Sequence, residues 1–150
     1  MTAVNDAPVA VADVITVVGE AALTSKDVIT NDTDIDGDAL PSPPISTAGS
    51  GTVAVNADGL SVDYTPAANF NGTEVTTYTV SDGTLTDATG TLTVKVTAVN
   101  DAPVAVADVV TVVADAALTS KDVIANDTDI DGDTLSLTAV TTAGSGTVAV

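Results

Sequence analysis

Two copies of an eight-residue acidic segment contain the side chains whose type and spacing could do chemistry. The first copy spans residues 31–38 and the second spans residues 126–133, and each places four aspartates at alternating positions with a glycine between the last two. Alternating carboxylates around a glycine turn supply the oxygen ligands that a hard cation such as Ca²⁺ prefers. The predicted calcium ligands are Asp32, Asp34, Asp36 and Asp38 in the first copy and Asp127, Asp129, Asp131 and Asp133 in the second.

The acidic segment does not follow the EF-hand pattern. Position 12 counted from Asp32 is Pro43, where an EF-hand loop has a bidentate glutamate. On both sides of the segment apolar and polar residues alternate, as they do in strands, and helical periodicity is lacking. A solvated polar turn between two strands is the alternative interpretation. The number of carboxylates favours a cation, because neighbouring carboxylates without one repel each other and raise each other's pKa.

A second candidate cation site lies where one repeat meets the next. The sequence Asn-Asp-Ala-Pro occurs at residues 100–103 and again at residues 5–8. Proline stiffens such a junction, and Asn and Asp offer oxygen ligands. A simple interdomain turn is the alternative. The predicted ligands of this kind are Asn5, Asp6, Asn100 and Asp101.

Asp82, Asp13 and Asp108 are not predicted to be calcium ligands. Asp82, followed by Gly83, is predicted to lie in a hairpin turn. Asp13 and Asp108 are acids on a strand face whose role the pattern leaves open.

The overall composition excludes several classes of function. The chain has 21 acids, 3 bases and a formal net charge of -18, with no cysteine and no histidine. We therefore expect no disulfides, no zinc site of the usual kind, and no thiol or imidazole catalysis. Three bases are too few to neutralise a run of phosphates, so no nucleic-acid partner is expected. No stretch approaches the ~20 apolar residues of a membrane span, so no direct membrane insertion is expected.

The chain is an internal repeat with an offset of 95 residues. Residues 1–55 align with residues 96–150 without a gap, with 43 identities in 55 positions. A period of this size is typical of a small domain and not of a solenoid turn. We predict a complete repeat over residues 1–98 and the first half of a second repeat over residues 99–150. We also expect the half repeat to be completed by more of the same chain or by a neighbouring molecule.

Period-2 alternation separated by Asp-Gly and Asn-Gly turns predicts strands and no helix. The predicted strands span residues 9–18, 21–29, 39–47, 51–55, 60–65, 74–81 and 91–98. This pattern indicates an all-β fold, an immunoglobulin-like antiparallel β-sandwich in tandem. Because aromatic residues are few, the core is predicted to be Val, Leu and Ala, anchored by Tyr64, Phe70 and Tyr78.

Prolines distinguish the two copies after the acidic segment. Pro41, Pro43 and Pro44 stand where the second copy has a regular strand pattern at residues 135–140. Proline cannot donate to a ladder, so the first copy is predicted to have an edge, bulged or broken strand there, and the second copy an uninterrupted one.

Four ordered motifs resemble a known family. Residues 3–8 (AVNDAP), 28–38 (VITNDTDIDGD), 64–73 (YTPAANFNGT) and 78–83 (YTVSDG) are similar to the bacterial cadherin-like, VCBS-type tandem repeats of giant RTX-type surface adhesins. The resemblance covers nearly the whole chain. It implies an immunoglobulin-like (cadherin-like) module that binds calcium in a secreted or cell-surface chain. By that resemblance the acidic segments and the junction residues Asn100 and Asp101 are the calcium sites, and the prolines at 41–44 are a departure.

A structural role follows best from these features. We expect a non-catalytic, calcium-stabilised extender of a large surface adhesin or filament, acting in adhesion or biofilm, with neighbouring repeats or like chains as partners. The alternative is a module that binds glycans or another cell directly, and other domains of a longer chain are a further route to such targets. An enzyme is not expected, because a catalytic site would not recur once per repeat. Extracellular modules bind calcium at ~10⁻⁴ to 10⁻³ M, which also predicts a location outside the cell.

Overall fold

The computed structural model describes residues 4–21, 24–41, 45–46, 49–84, 87–115, 119–142, 144 and 146–148. The chain divides into two compact units, Met1–Val99 and Asn100–Val150. No helix in the described residues is long and apolar enough to span a membrane. The strands of the first unit are β1 (Asp13–Val18), β2 (Thr24–Asp27), β3 (Ile45–Ser46), β4 (Thr52–Val55), β5 (Ser61–Thr65), β6 (Gly72–Val80) and β7 (Ala88–Thr97).

These strands form two sheets. The four-stranded sheet has the order β1-β7-β6-β3, and the three-stranded sheet has the order β2-β5-β4. The prediction of an immunoglobulin-like β-sandwich is therefore confirmed for the first unit. One pair departs from a purely antiparallel arrangement, because β1 runs parallel to β7, with Asp13 opposite Leu92 and Val18 opposite Thr97. No hairpin constrains this pair, since the other five strands separate β1 from β7 in sequence.

The core lies between the sheets and is built by alternation along the long strands. Leu92, Val94 and Val96 of β7 point inward and are buried, while the residues between them face outward. Tyr64 and Tyr78 are among the largest fully buried side chains, and Phe70 packs at the margin of the core. All three aromatic residues therefore contribute to the core as predicted.

The segment after the acidic loop contains an edge strand. Strand β3 comprises Ile45–Ser46 and lies at an edge of its sheet, as the prolines predicted, whereas residues 39–41 of the predicted strand form none. Residues 42–44, which include Pro43 and Pro44, lie outside the described residues. The expected uninterrupted strand at residues 135–140 is wrong, because these described residues form no strand. In the first unit the equivalent strand β3 pairs with β6, and residues 100–150 correspond to residues 5–55, which precede β6.

A carboxylate joins the two sheets on the side of the sandwich where β4 begins. Glu74 of β6 accepts hydrogen bonds from the hydroxyl of Tyr64 in β5 at 2.8 Å and from the backbone N–H and hydroxyl of Ser50 at 2.6 and 2.7 Å. The backbone N–H of Gly51 adds a longer bond. Burial raises the pKa of Glu74, but these hydrogen bonds outweigh it and hold the pKa below its usual value. Burial, together with the bond to Glu74, raises the pKa of the Tyr64 hydroxyl.

The second unit has little regular structure. Its described residues contain no strand, and their single β-bridge joins Val104 to Thr128. The equivalent bridge in the first unit joins Val9 to Thr33. The same bridge therefore forms in both units.

Candidate metal site

The acidic segment folds as a turn around one carboxylate. One oxygen of Asp34 accepts hydrogen bonds from the backbone N–H groups of Asp36 at 2.9 Å, Gly37 at 3.1 Å and Asp38 at 3.4 Å. Gly37 has a φ of 81°, which a residue with a Cβ adopts only with strain. Three N–H groups that converge on one oxygen fix the position of Asp34, and its second oxygen is left for another partner.

The N-terminal segment of the repeat lies along this turn. Val9 and Thr33 exchange backbone hydrogen bonds of 2.8 and 3.1 Å. The backbone N–H of Asp6 donates to Asp36 Oδ2 at 2.7 Å, and the N–H of Val11 donates to Asp32 Oδ1 at 2.7 Å. The junction motif and the acidic segment, which the sequence presents as two candidate sites, therefore meet within one repeat.

Asn5 has a different partner. Its side-chain amide donates to Asp82 Oδ2 at 2.6 Å and to the hydroxyl of Thr84 at 2.7 Å. Asp82 also accepts the N–H of Thr84 at 2.7 Å, so it lies in the turn between β6 and β7, where a hairpin turn was predicted. In the second unit the amide of Asn100 donates to the carbonyl of Asp101. Neither amide nitrogen contacts the acidic loop.

Two carboxylate oxygens in this region are buried without a hydrogen-bond donor. They are Asp32 Oδ2 and Asp34 Oδ2. Asp32 is only 8% exposed, and burial is the main reason that its pKa lies above the usual value. A buried carboxylate oxygen with no donor is unfavourable unless a proton or a cation compensates it. No group of three or more acidic side chains converges in the described part of the chain. The two oxygens would therefore have to be supplemented by carbonyl or water oxygens to complete a calcium shell.

A buried polar network links Asp32 to the sandwich. The hydroxyl oxygen of Tyr78 lies 2.9 Å from the carbonyl oxygen of Val11, 3.0 Å from Asp13 Oδ2 and 3.4 Å from Asp32 Oδ1, so these three acceptors share its single proton. Lys26 in the other sheet forms an ion pair with Asp13 at 3.1 Å, where the Asp13 side chain is 3% exposed. The network therefore connects both sheets to the acidic loop. Burial, together with the nearby carboxylates of Asp13 and Asp32, raises the pKa of Tyr78.

The sequence interpretation left this network unassigned. The available signal was the distribution of bases, since two of the three lysines, Lys26 and Lys121, lie 95 residues apart. Asp13 and Asp108 have the same separation, and Lys121 pairs with Asp108 at 3.2 Å in the second unit. A rare base repeated together with an acid indicates an ion pair. Tyr78 could not be found in this way, because the second unit has no counterpart of it.

The second unit repeats the loop geometry. The N–H of Asp101 donates to Asp131 Oδ2 at 2.6 Å, and the N–H of Val106 donates to Asp127 Oδ1 at 2.7 Å. Asp129 accepts the N–H groups of Asp131 at 2.9 Å and of Asp133 at 3.2 Å. All of the predicted aspartates of the second copy therefore lie in one turn, closed by the junction residue of the same copy.

The chain matches a known protein family in two segments. The family model described as "Bacterial Ig domain" matches residues 5–95 and again residues 100–150. No curated protein and no solved structure matches the chain. Domains of this family are generally non-catalytic and are typically extracellular or surface-exposed. The two tandem matches, together with the two-sheet architecture of the first unit, show that the chain belongs to the bacterial Ig domain family.

Proposed function

We propose that the chain is a calcium-stabilised extender, a structural repeat that projects or links other domains of a large bacterial surface adhesin or filament. One observation supports calcium above all others, namely the two buried oxygens of Asp32 and Asp34 without a donor, beside a loop of four aspartates. The residues fit a hard cation, because they offer only oxygen ligands. The tandem family match supports the structural, extracellular part of the proposal.

The ligands proposed for each cation come from a single repeat. In the first unit they are Asp32 and Asp34, with Asp36, Asp38 and Asp6 in the same region. Asn5 would contribute only its side-chain oxygen, because its amide nitrogen donates to Asp82 and Thr84. In the second unit the proposed ligands are Asp127, Asp129, Asp131 and Asp133 with Asn100 and Asp101. A bound calcium supplies positive charge that compensates the buried carboxylates. The segment before β1 already contacts the loop through the Asp6–Asp36 and Val11–Asp32 hydrogen bonds. A calcium ion that balances the charge of the loop carboxylates therefore also holds this segment in place.

Cation binding to the folded state alone raises its stability. A ligand at about one to ten times its Kd contributes about 0.4–1.4 kcal/mol per site. Extracellular modules have Kd values of about 10⁻⁴ to 10⁻³ M, so millimolar calcium outside the cell occupies such sites and cytosolic calcium does not. A repeat of this kind is therefore stiff where the adhesin works and loose before export.

Thermal unfolding with calcium and with chelator tests the proposal. We expect calcium to raise the Tm of the intact chain by several degrees, as about 1 kcal/mol does in a domain of this size. Magnesium at the same concentration is expected to act more weakly, because it requires a smaller octahedral shell. A Tm that chelation leaves unchanged contradicts the proposal.

Matched asparagine variants locate the effect. Asp34→Asn keeps an oxygen for the three N–H groups of the turn but removes the charge, so we expect the calcium-dependent rise in the Tm of the first unit to disappear. Asp129→Asn is the equivalent change in the second unit, and it should remove calcium from that unit only. Asp87→Asn removes an exposed carboxylate outside the loop and serves as the control. An equal loss of calcium response in all three variants indicates a diffuse charge effect and no site.

A further inference from the structure

The outward face of the four-stranded sheet has a composition unlike the rest of the chain. This Thr/Val face consists of alternate residues of β1 from Val14, of β6 from Thr73 and of β7 from Thr89, together with Ser46 of β3. Its thirteen positions hold eight threonines, three valines, one serine and one lysine. With 21 acids in 150 residues, thirteen positions would hold about two acids on average, and this face holds none.

The outward face of the other sheet differs. Asp27 of β2 and Asp63 of β5 face outward there, and Asp58 borders it in the turn before β5. The negative charge of the first unit therefore lies on the three-stranded sheet, the loops and the buried network. The Thr/Val face contains one charged side chain, Lys95.

The apolar groups of the face are contiguous. Val14 and Val75 are both directly opposite Thr93, from the two neighbouring strands. They are 56% and 46% exposed, which is high for valine on a sheet. Threonine methyl groups of the adjoining rows extend this patch, because all three strands present their side chains at the same height above the sheet.

The chemistry of the face restricts its partner. Anionic polymers and anionic lipid surfaces are repelled by a chain of net charge -18, and Lys95 alone does not offset this. Neutral glycans are usually bound on aromatic side chains, and the face contains none, since Tyr64 and Tyr78 lie in the core. A second copy of this chain fits best. Two such chains can approach without opposing carboxylates only through a face that has none.

We propose that two copies of the chain associate laterally by stacking their Thr/Val faces. Sheets pack face to face about 10 Å apart, with side chains of both faces interdigitating. Thirteen residues are fewer than the ~20–30 per side of a stable interface, so a single pair of faces associates weakly. Lateral contact of this kind brings parallel extenders together.

Salt dependence follows from the charge distribution. The remaining carboxylates of the two chains repel each other at long range, and this repulsion is screened beyond about 8 Å at physiological ionic strength. Association through the Thr/Val face is therefore expected to strengthen as NaCl is raised. Association between oppositely charged patches would weaken.

Sedimentation equilibrium of the intact chain in calcium buffer, from micromolar to millimolar concentration, measures this association. Val75→Glu and Val14→Glu each place a carboxylate on the face, and a two-fold contact contains every substitution twice. We expect each variant to raise the dissociation constant about tenfold or more. Thr52→Glu puts the same charge on an exposed position of β4, in the other sheet, and should leave association unchanged.

A fourth variant tests whether the second unit, and not the Thr/Val face, mediates association. Val113 is 80% exposed in the second unit, and Val113→Glu should leave association unchanged if the Thr/Val face is the contact. The proposal is overturned if Val113→Glu abolishes association, if Thr52→Glu weakens it as much as Val75→Glu, or if the chain stays monomeric at millimolar concentration in high salt. Circular dichroism of every variant must match the parent, and where Val75→Glu fails to fold, Val14→Glu at the edge of the sheet decides.

Discussion

The two units share an acidic loop but not a sandwich. The distance from the junction N–H to the loop carboxylate is 2.7 Å at Asp6 and 2.6 Å at Asp101. The bridge between the N-terminal segment and the loop has bonds of 2.8 and 3.1 Å in both units. Gly37 and Gly132 have φ values of 81° and 80°. The loop geometry thus recurs in the second unit, whose described residues contain no strand.

Burial is what the sandwich adds. Asp32 is buried in the first unit, whereas its counterpart Asp127 is half-buried. The side chain of Asp13 is 3% exposed in its ion pair, and that of Asp108 is 15% exposed. Desolvation raises the pKa of Asp32 and leaves one of its oxygens without a donor. The loop geometry is therefore common to both units, but the electrostatic demand for a cation depends on packing.

Removing core packing is expected to have the largest effect, and it should act on the first unit and not on the loop of the second. Leu92 is fully buried on β7, and Leu92→Ala should lower the free energy of unfolding of the first unit by about 2–5 kcal/mol. The backbone amide signal of Gly132, in the loop of the second unit, should stay at its original NMR shift while urea unfolds the first unit. Val109→Ala is the control, because Val109 is 85% exposed in the second unit and packs little. A shift of the Gly132 signal in Leu92→Ala would mean that the second loop is not locally determined.

Removing one hydroxyl should make the first loop resemble the second. Tyr78→Phe leaves the carbonyl of Val11 and one oxygen of Asp13 without their donor, at a cost of about 1–3 kcal/mol. With Asp32 less firmly held, we expect the calcium affinities of the two loops to converge in titration calorimetry. Tyr64→Phe is the matched control, because its hydroxyl bonds to Glu74, away from the loop. If Tyr64→Phe changes calcium affinity as much as Tyr78→Phe, the network does not position the loop.

The sequence predicted those features that depend on local pattern. Alternation identified the strands, the core aromatics and the immunoglobulin-like class, and the Asp-Gly spacing identified the turn around Asp34. It did not predict the parallel pairing of β1 with β7, because register between strands so distant in sequence depends on the closure of the whole sandwich. Nor did it unite Asp6 with the acidic loop or find the Tyr78 hydroxyl beside Asp13, since these contacts join residues 30 and 65 positions apart. The calcium ligands remain a prediction.

The smallest expected effect concerns Glu74, which has no counterpart in the second unit. Glu74→Gln leaves one acceptor oxygen where the carboxylate has two, but Ser50 lies at the surface and water can replace a lost bond, so a cost of about 1 kcal/mol is expected at neutral pH. The pKa of Glu74 is lower in the folded state than its ordinary value of 4.5. Its contribution to stability is therefore complete above pH 4.5 and is lost as the pH falls through the folded pKa.

Acid titration of the free energy of unfolding distinguishes this contribution from the other carboxylates. Below pH 4.5 the Glu74→Gln variant should lose less stability than the parent does, because the variant binds no proton at this position. Asp58→Asn is the control, because hydrogen bonds from Leu60 and Ser61 also lower the pKa of Asp58, which lies in a turn and not between the sheets. The difference should appear in the unfolding transition of the first unit and leave the Gly132 signal of the second unit unchanged. Identical acid profiles for the parent and Glu74→Gln would show that the bonds at Glu74 do not couple the two sheets.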